Sequence, residues 1–314
     1  MKFYLAPMEE VTGYVFRNVH SRLFGKLDKY VTPFVSPMQK RGLKSRDRKE
    51  IDPQNNKDLP VVPQVLTNHA EALVHTARLV KGLGYGELNL NLGCPSATVV
   101  PKRKGSGFLA DPEELESFFQ EVYFQLKSTD PVISVKTRLG LTRPEEFYDI
   151  LPVFNRYPIG ELIIHPRIQT DFYRNQPKLE YFAWAMSHCP LPLCYNGDIT
   201  DVDHYCRLRE SFPSLGAVMI GRGLVRNPAL VREIKGGDRV TSEELSVYER
   251  ELYKGYCEAY GEERNAVFKM KEVWYYLSDM LPEETREKKL KKIRKATRPD
   301  QYRQAADEAF SVKA

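Results

Sequence analysis

The sequence predicts an α/β fold, a (β/α)8 TIM barrel with a C-terminal all-helical domain. Eight short apolar or β-branched runs alternate with helix-like segments over about 235 residues, which is typical of such barrels. After the turn at Gly236 and Gly237 the strand signal ends, and only helical patterns follow. We therefore expect a barrel domain over residues 1–238 and a helical domain over residues 239–314. The alternation also fits a doubly wound parallel sheet, which the pattern alone does not exclude.

The predicted strands are too short for core helices and are mostly apolar or β-branched. They cover residues 3–6, 30–35, 61–66, 87–90, 133–137, 161–165, 193–196 and 217–220. The helices predicted between them cover residues 68–83, 111–126, 144–155, 178–187 and 201–211. The C-terminal helical segments cover residues 242–260, 265–280 and 283–309. Asp111 followed by Pro112 is a clear helix start, because Asp caps free N–H groups and Pro fits the first helical position.

The composition of the 314 residues is that of a globular protein, with 42% hydrophobic and 28% charged residues, and excludes a disordered or fibrous chain. No apolar run approaches the roughly 18–20 residues that span a bilayer. Acidic residues begin at Glu9, too early for a signal peptide. The five cysteines form no CxxC pair, so we expect free thiols and a cytoplasmic location. The net charge of +5 permits an acidic partner such as nucleic acid.

Glycine-rich polar motifs follow the last two predicted strands. Asn196-Gly197-Asp198 comes after the seventh strand, and Gly221-Arg222-Gly223 comes after the eighth. Barrels commonly bind phosphate at these two strand ends, where backbone N–H groups and an Arg fork can hold an anion. Although glycines alone often make only tight turns, the two motifs together predict a phosphate site.

The fifth strand carries two cations, Lys136 and Arg138, which alternate and therefore point to the same side of the sheet. A cation in that position needs an anionic or electron-rich partner. We expect Lys136 to lie beside a ligand such as a flavin, which needs a cation near its pyrimidine edge when reduced. An ion pair with Glu87 or Asp198 is the alternative.

Cys94 lies just past the fourth strand, between Gly93 and Pro95. A lone cysteine is most often a small buried hydrophobic residue. Its position in a loop at a strand end predicts instead a reactive or proton-donating thiol. The remaining cysteines lack such a setting and are interpreted as structural; they are Cys189, Cys194, Cys206 and Cys257. No histidine has metal-ligand spacing to a Cys or another His, so no metal site is predicted.

Over nearly its whole length the chain resembles the dihydrouridine synthase family, flavin-dependent enzymes that reduce uridine in RNA. The resemblance rests on residues 5–8 (LAPM), 88–96 (LNLNLGCPS), 105–107 (GSG), 136–138 (KTR), 165–167 (HPR), 196–199 (NGDI) and 220–223 (IGRG). Each motif alone is weak, whereas their order and spacing together are specific. The chain departs from the family pattern on the expected substrate side, at Glu10, Gly13, Ala97, Pro166 and Ile168.

The resemblance implies an FMN-binding barrel, a helical domain that helps to hold RNA, and NADPH or NADH as reductant. Reduced flavin would deliver a hydride from N5 to C6 of uracil, and Cys94 would protonate C5. The implied cofactor-binding residues are Ala6, Pro7 and Met8 at the flavin ring, Gln64 and Lys136 at its pyrimidine edge, His165 at the flavin or the uracil, and Asn196, Gly197, Asp198, Gly221 and Arg222 at the phosphate. The predicted residues that place the uridine are Asn91, Arg138 and Arg167.

Several basic clusters predict an RNA surface. They are residues 40–49, residues 102–104 after Cys94, and a stripe of Lys288, Lys292 and Lys295 in the last helical segment. We expect Lys102, Lys104, Lys292 and Lys295 to contact phosphates, although solvated helix faces are the common alternative for charge runs. The expected partner is tRNA, bound by a monomer without membrane contact. Ribosomal RNA is one alternative substrate, and a small molecule reduced by an FMN barrel oxidoreductase is another.

Overall fold

Eight parallel strands close into a barrel within residues 1–37 and 42–310, the part of the chain that the computed structural model describes. Each strand hydrogen-bonds to the next in sequence order. The strands are β1 Lys2–Leu5, β2 Lys29–Val35, β3 Val61–Val65, β4 Glu87–Leu92, β5 Val132–Thr137, β6 Leu162–Ile164, β7 Leu193–Asn196 and β8 Ala217–Ile220. Because a doubly wound sheet is open, the closed barrel excludes that alternative and confirms the predicted fold class.

The helices that connect and follow the strands agree with most of the predicted segments. They are α1 Tyr14–Phe24, α2 Ser45–Ile51, α3 Ala70–Gly82, α4 Pro112–Gln125, α5 Phe147–Asn155, α6 Leu179–His188, α7 Val202–Ser211, α8 Arg222–Arg226, α9 Leu230–Ile234, α10 Ser242–Tyr260, α11 Glu263–Leu277, α12 Glu283–Lys295 and α13 Pro299–Phe310. At the start of α4, the Asp111 carboxylate accepts the N–H groups of Glu113 and Glu114 at 3.1 Å each. This is the cap that the sequence predicts.

The helices differ from the prediction in several places. The segment 283–309 forms two helices, α12 and α13, because Pro299 disfavours helical geometry at the preceding residue and begins a new helix. Helix α1 was not predicted, and its N-terminal residue Gly13 provides no side-chain cap that would mark the start. The short helices α2, α8 and α9 were not predicted either, and the remaining helices follow the expected order.

The chain divides into two compact units. The first consists of Met1–Ala6, Asp28–Gly197 and Arg209–Met219. It holds the barrel strands except the last residue of β8, together with helices α2 to α6. The second consists of Pro7–Leu27, Asp198–Leu208 and the chain from Ile220 onward. It holds α1, most of α7 and helices α8 to α13. A helical domain bounded at residue 239 remains a prediction.

The barrel interior combines an apolar cluster with a charged network at the N-terminal ends of the strands. The apolar members are Tyr4, Ala6, Val31, Val62, Ile163, Cys194, Ala217 and Met219. Below them, Lys29 Nζ lies 2.8 Å from Glu87 Oε2 and 2.9 Å from Glu161 Oε2. The Tyr4 hydroxyl donates to Glu161 Oε1 at 2.8 Å. In barrels of this kind the functional residues lie at the opposite, C-terminal ends of the strands.

Candidate active site

A chain of side-chain amides connects β3, β4 and β5. Asn91 Nδ2 donates to Gln64 Oε1 at 2.8 Å, and Gln64 Nε2 donates to Asn89 Oδ1 at 2.8 Å. Asn89 Nδ2 then donates to Ser134 Oγ at 2.9 Å. Since an amide donates at one end and accepts at the other, this chain fixes the orientation of all three side chains. One N–H of Gln64 has no partner among the described residues, consistent with its predicted role at a ligand.

The backbone of Cys94 is hydrogen-bonded on both sides. Asn91 Oδ1 accepts the N–H of Gly93 at 3.0 Å and the N–H of Cys94 at 2.9 Å. The Cys94 carbonyl accepts from the Ser106 N–H at 3.1 Å and from Ser106 Oγ at 2.8 Å. Gly105 has φ +56°, and a Cβ there would come within 2.8 Å of the Cys94 carbonyl oxygen. Only glycine therefore fits at position 105, where the chain passes close to Cys94. The Cys94 side chain is half-buried in a loop that these hydrogen bonds hold in place.

Lys136 is a half-buried cation that pairs along the β4–β5 ladder with Asn91. Within the described ranges its ammonium group makes no hydrogen bond or ion pair. The predicted alternative partners are engaged elsewhere, Glu87 with Lys29 and Asp198 with Arg222. Burial, and secondly the charge of Arg138, lower the pKa of Lys136 to about 7. A cation desolvated in this way favours an anionic or electron-rich ligand.

His165 and Arg167 lie together after β6. Arg167 Nη1 contacts His165 Nε2 at 3.0 Å, and Arg167 Nε donates to the Asn175 carbonyl at 2.5 Å. Because a guanidinium only donates, this contact requires His165 Nε2 to be the acceptor. Both side chains are buried, and Arg167 is 1% exposed. Roles for His165 at the flavin and for Arg167 at the uridine stay predictions.

The loop after β6 is held by Asp171, a residue that sequence reasoning missed. Lys178 Nζ lies 2.7 Å from Asp171 Oδ2, and the Ile168 N–H donates to the same oxygen at 3.1 Å. Burial alone would raise the pKa of Asp171, but these hydrogen bonds and one from Asn175 outweigh it and lower the pKa. The carboxylate is thus ionised and fixes the loop that carries the exposed ring of Tyr173.

Arg138 is also buried, and its guanidinium donates to three backbone carbonyls. Nε donates to Gly93 at 2.9 Å, Nη1 to Ile168 at 2.9 Å, and Nη2 to Phe172 at 2.8 Å. The guanidinium carbon lies 5.4 Å from the centre of the Tyr173 ring. These contacts connect the loops after β4 and β6, and the predicted contact of Arg138 with uridine is not tested by them.

The residues predicted at a phosphate fall in both units. In the first unit, Asn196 Nδ2 donates to the Met219 carbonyl at 2.8 Å, and a Cβ at Gly197 would come within 2.9 Å of the Tyr195 hydroxyl oxygen. In the second unit, Arg222, next to Gly221, forms an ion pair with Asp198. A carboxylate cannot donate to phosphate, so the Asp198 side chain is suited to orienting Arg222. The phosphate contacts themselves remain predictions.

The residues predicted at the flavin ring, Ala6, Pro7 and Met8, follow β1 and lead into a hydrogen-bonded turn. Ala6 is buried in the barrel cluster of the first unit. In the second unit, the segment that follows Pro7 turns at Met8, whose carbonyl accepts the N–H groups of Val11 and Thr12 at 3.0 Å each. Contact of Ala6, Pro7 and Met8 with a flavin stays a prediction. In the same turn Glu10, one of the departures from the family pattern, has its Oε2 2.9 Å from Lys269 Nζ.

The basic residues predicted to contact RNA differ in whether an acidic side chain forms an ion pair with them. Lys102 is exposed and Lys104 half-buried, and neither has an acidic partner in the described part of the chain. Lys292 pairs with Glu308 at 2.5 Å, whereas Lys295 is exposed and has no carboxylate partner within the same ranges. Lys40 and Arg41 lie outside the described residues. Phosphate contacts by Lys102, Lys104, Lys292 and Lys295 remain predictions.

The remaining sequence predictions concern thiols, metals and membranes. All five cysteines are free; Cys194 is buried in the barrel, whereas Cys206 is exposed and does not pack as a structural cysteine would. Residues 1–37 and 42–310 contain no group of three or more His, Cys, Asp or Glu side chains that could hold a metal ion. None of the helices in these ranges is long and apolar enough to cross a membrane.

Comparison with known sequences gives a consistent result. The sequence pattern of the Dihydrouridine synthase (Dus) family matches residues 4–313. The chain is 29% identical over 240 residues to a protein named tRNA-dihydrouridine(16) synthase from Aquipseudomonas alcaligenes, covering 74% of this chain and 75% of that one. It is 30% identical to the protein of the same name from Pseudomonas putida, with 74% and 73% covered. It is also 30% identical to the "Probable tRNA-dihydrouridine synthase 2" of Bacillus subtilis, with 72% and 70% covered.

Solved structures share the fold at low sequence identity. A morphinone reductase variant in complex with tetrahydroNAD superposes with a TM-score of 0.52 at 10% identity, over 76% of this chain and 87% of that one. A 2-naphthoyl-CoA reductase complex gives a TM-score of 0.55 at 10% identity, over 75% and 50% of the chains. At this identity the likeness shows the barrel alone. Since the family pattern spans almost every residue and the motifs lie at the ends of the strands of a closed barrel, the chain belongs to the dihydrouridine synthase family.

Proposed function

We propose that this protein reduces uridine to 5,6-dihydrouridine in tRNA, using FMN and a nicotinamide nucleotide as reductant. The observation that carries the proposal is Lys136, a desolvated cation without a partner among the described residues, directly across the ladder from Asn91. Asn91 in turn holds the loop of Cys94. A binding group for an electron-rich ring therefore lies on the strand next to the one that carries a proton donor.

The chemistry of these donors fits FMN. The N1–C2=O2 edge of a flavin offers hydrogen-bond acceptors, and reduction makes that edge anionic. Lys136 supplies a positive charge, and Gln64 supplies an N–H whose direction is fixed by its bonds to Asn89 and Asn91. FMN, when bound, supplies the hydride that C6 of the uracil accepts.

The chain's own residues then provide proton transfer and orientation. Cys94 donates its thiol proton to C5 of the uracil, where negative charge develops as C6 is reduced. A positioned general acid of this kind contributes about 10²- to 10⁴-fold to the rate. The charge of Lys136 interacts with Cys94 and stabilises the thiolate that the transfer leaves. The uridine must leave its stack to reach this site, at a cost of a few kcal/mol.

We propose uridine 16 of tRNA as the target. Support comes from the names of the relatives from Aquipseudomonas alcaligenes and Pseudomonas putida, which both state this position. A polyanionic substrate also fits the uncompensated charges of Lys102 and Lys104, which a small molecule would not need. The helical region from residue 239, with Lys292 and Lys295, would contribute further phosphate contacts. We place the protein in the cytoplasm and expect it to act as a monomer.

The test is product mapping on defined RNA. The purified protein is incubated with NADPH or NADH and with unmodified tRNA transcripts, and dihydrouridine is located by mass spectrometry of nuclease fragments. A matched transcript with cytidine at position 16 serves as the control. We expect product at position 16 of the first transcript and none in the second. Absence of dihydrouridine from tRNA, or its formation in ribosomal RNA alone, would overturn the proposal.

A further inference from the structure

The peptide group between Gly93 and Cys94 is held at both ends by buried side chains. Its carbonyl oxygen accepts from Arg138 Nε at 2.9 Å, and its N–H donates to Asn91 Oδ1 at 2.9 Å. The next peptide group is held through the Cys94 carbonyl by Ser106. Two fixed peptide planes determine the direction of the bond from Cα to Cβ between them. Only rotation about that bond is left to place the sulfur atom of Cys94.

Arg138 is suited to this task and poorly placed to bind a substrate through the same atoms. It is 1% exposed, and each of its three nitrogens donates to a different backbone carbonyl. Two of those carbonyls, of Ile168 and Phe172, belong to the loop after β6. The planar fork thus fixes the Cys94 loop relative to that loop, which a single ammonium group cannot do.

A second contact joins the same two loops. Gln169 Nε2 donates to the Pro95 carbonyl at 3.1 Å, on the other side of Cys94 from the Arg138 contact. The loop after β6 is itself fixed by Asp171. The position of Cys94 therefore depends on a connection to β5 and to the loop after β6, and not on its own strand alone.

We propose that Arg138 is a positioning residue for Cys94, in place of the contact with uridine that the sequence predicts. This inference rests on the proposed function, since it concerns the proton donor of that reaction. A displacement of about 1 Å at a reacting group can cost about 10²-fold in rate. Arg138→Lys keeps the charge and loses the fork, so we expect it to slow uridine reduction about 100-fold.

A double-mutant cycle with Cys94→Ala separates the two roles. The flavin is reduced anaerobically, unmodified tRNA is added, and the rate of flavin reoxidation is measured as a function of tRNA concentration. If Arg138 acts through Cys94, Arg138→Lys lowers the maximal rate about 100-fold in the wild-type background and changes it less than about threefold in the Cys94→Ala background. The half-saturating tRNA concentration stays within about twofold. Arg156→Lys, on an exposed arginine that pairs with Glu116 outside the site, is the matched control and leaves both quantities unchanged.

A loss of equal size in both backgrounds would overturn the inference and favour direct contact with uridine. Failure of the wild-type protein to reoxidise with tRNA would instead contradict the proposed function. If Arg138→Lys does not fold, hydrogen exchange of the Arg138 Nε–H in the wild-type protein is measured by NMR. The bond to Gly93 predicts slow exchange in the free protein and in the complex with tRNA, and fast exchange in either contradicts the inference.

Discussion

The low pKa of Lys136 predicts that binding of FMN takes up a proton. With a pKa of about 7 in the protein without ligand, Lys136 is roughly 90% neutral at pH 8 and roughly 10% neutral at pH 6. A flavin bound beside Lys136 favours the charged form of this side chain, which therefore takes up a proton when the flavin binds. Binding should therefore take up about 0.9 proton at pH 8 and about 0.1 proton at pH 6 through this group. Because the pKa is lowered in the free protein, affinity for FMN falls as the pH rises above 7, by up to about tenfold per unit.

Isothermal titration calorimetry measures this uptake directly. FMN is titrated into flavin-free protein at each pH in two buffers of different ionisation enthalpy, and the difference in heat gives the protons exchanged. Lys136→Met is the matched variant, since it keeps the length of the side chain without the charge. The difference in uptake between wild type and variant at pH 8 isolates Lys136 from the phosphate and other groups. Equal uptake by the two proteins at pH 8 would refute the assignment of Lys136 to the flavin.

Three further perturbations test the surrounding structure. Burial raises the pKa of Glu249 from 4.5 to about 7, so the protonated side chain stabilises the protein at low pH. About 3 kcal/mol of the free energy of unfolding is lost as the pH rises from about 4.5 through 7. Glu249→Gln should flatten this pH dependence in thermal melts. Lys29→Met leaves two half-buried carboxylates without their cation and should lower the free energy of unfolding by about 2–3 kcal/mol in denaturant titrations. Lys57→Met, on an exposed lysine, should change it by less than about 0.5 kcal/mol. Gly105→Ala forces a Cβ against the Cys94 carbonyl and should lower dihydrouridine yield at unchanged flavin content, and an unchanged yield would contradict the close approach.

The barrel was predictable because its strands are buried on both faces. Residues 217–220 are apolar throughout and residues 30–35 are apolar except for Thr32, so few other assignments fit them. The observed strands Lys29–Val35 and Ala217–Ile220 agree with the predicted ones within one residue. Helix α1 was missed because Gly13 gives no capping signal. The break before α13 was missed because charged residues at helical spacing continue on both sides of it. Pro299, which begins α13, was the signal for a new helix.

The chemistry of the site was predictable from residue types, whereas its connections were not. Cys94 and Lys136 stand out because thiols and cations at strand ends are unusual. The acceptors of Arg138 are backbone carbonyls 45, 30 and 34 residues away, and no side-chain pattern marks a carbonyl. Asn89 was also missed, although its alternation with Asn91 along β4 was a usable signal for a second inward-facing amide.

The central claim is that Cys94 protonates uridine in a flavin-dependent reduction. The most direct measurement is a single turnover in which the protein, reduced by NADPH under anaerobic conditions, meets unmodified tRNA. For the wild type we predict one dihydrouridine formed per flavin oxidised. For Cys94→Ala we predict flavin reduction by NADPH at the wild-type rate and reoxidation by tRNA slowed about 10²- to 10⁴-fold. Reoxidation of Cys94→Ala by tRNA at the wild-type rate, with the same yield of dihydrouridine, would contradict the claim.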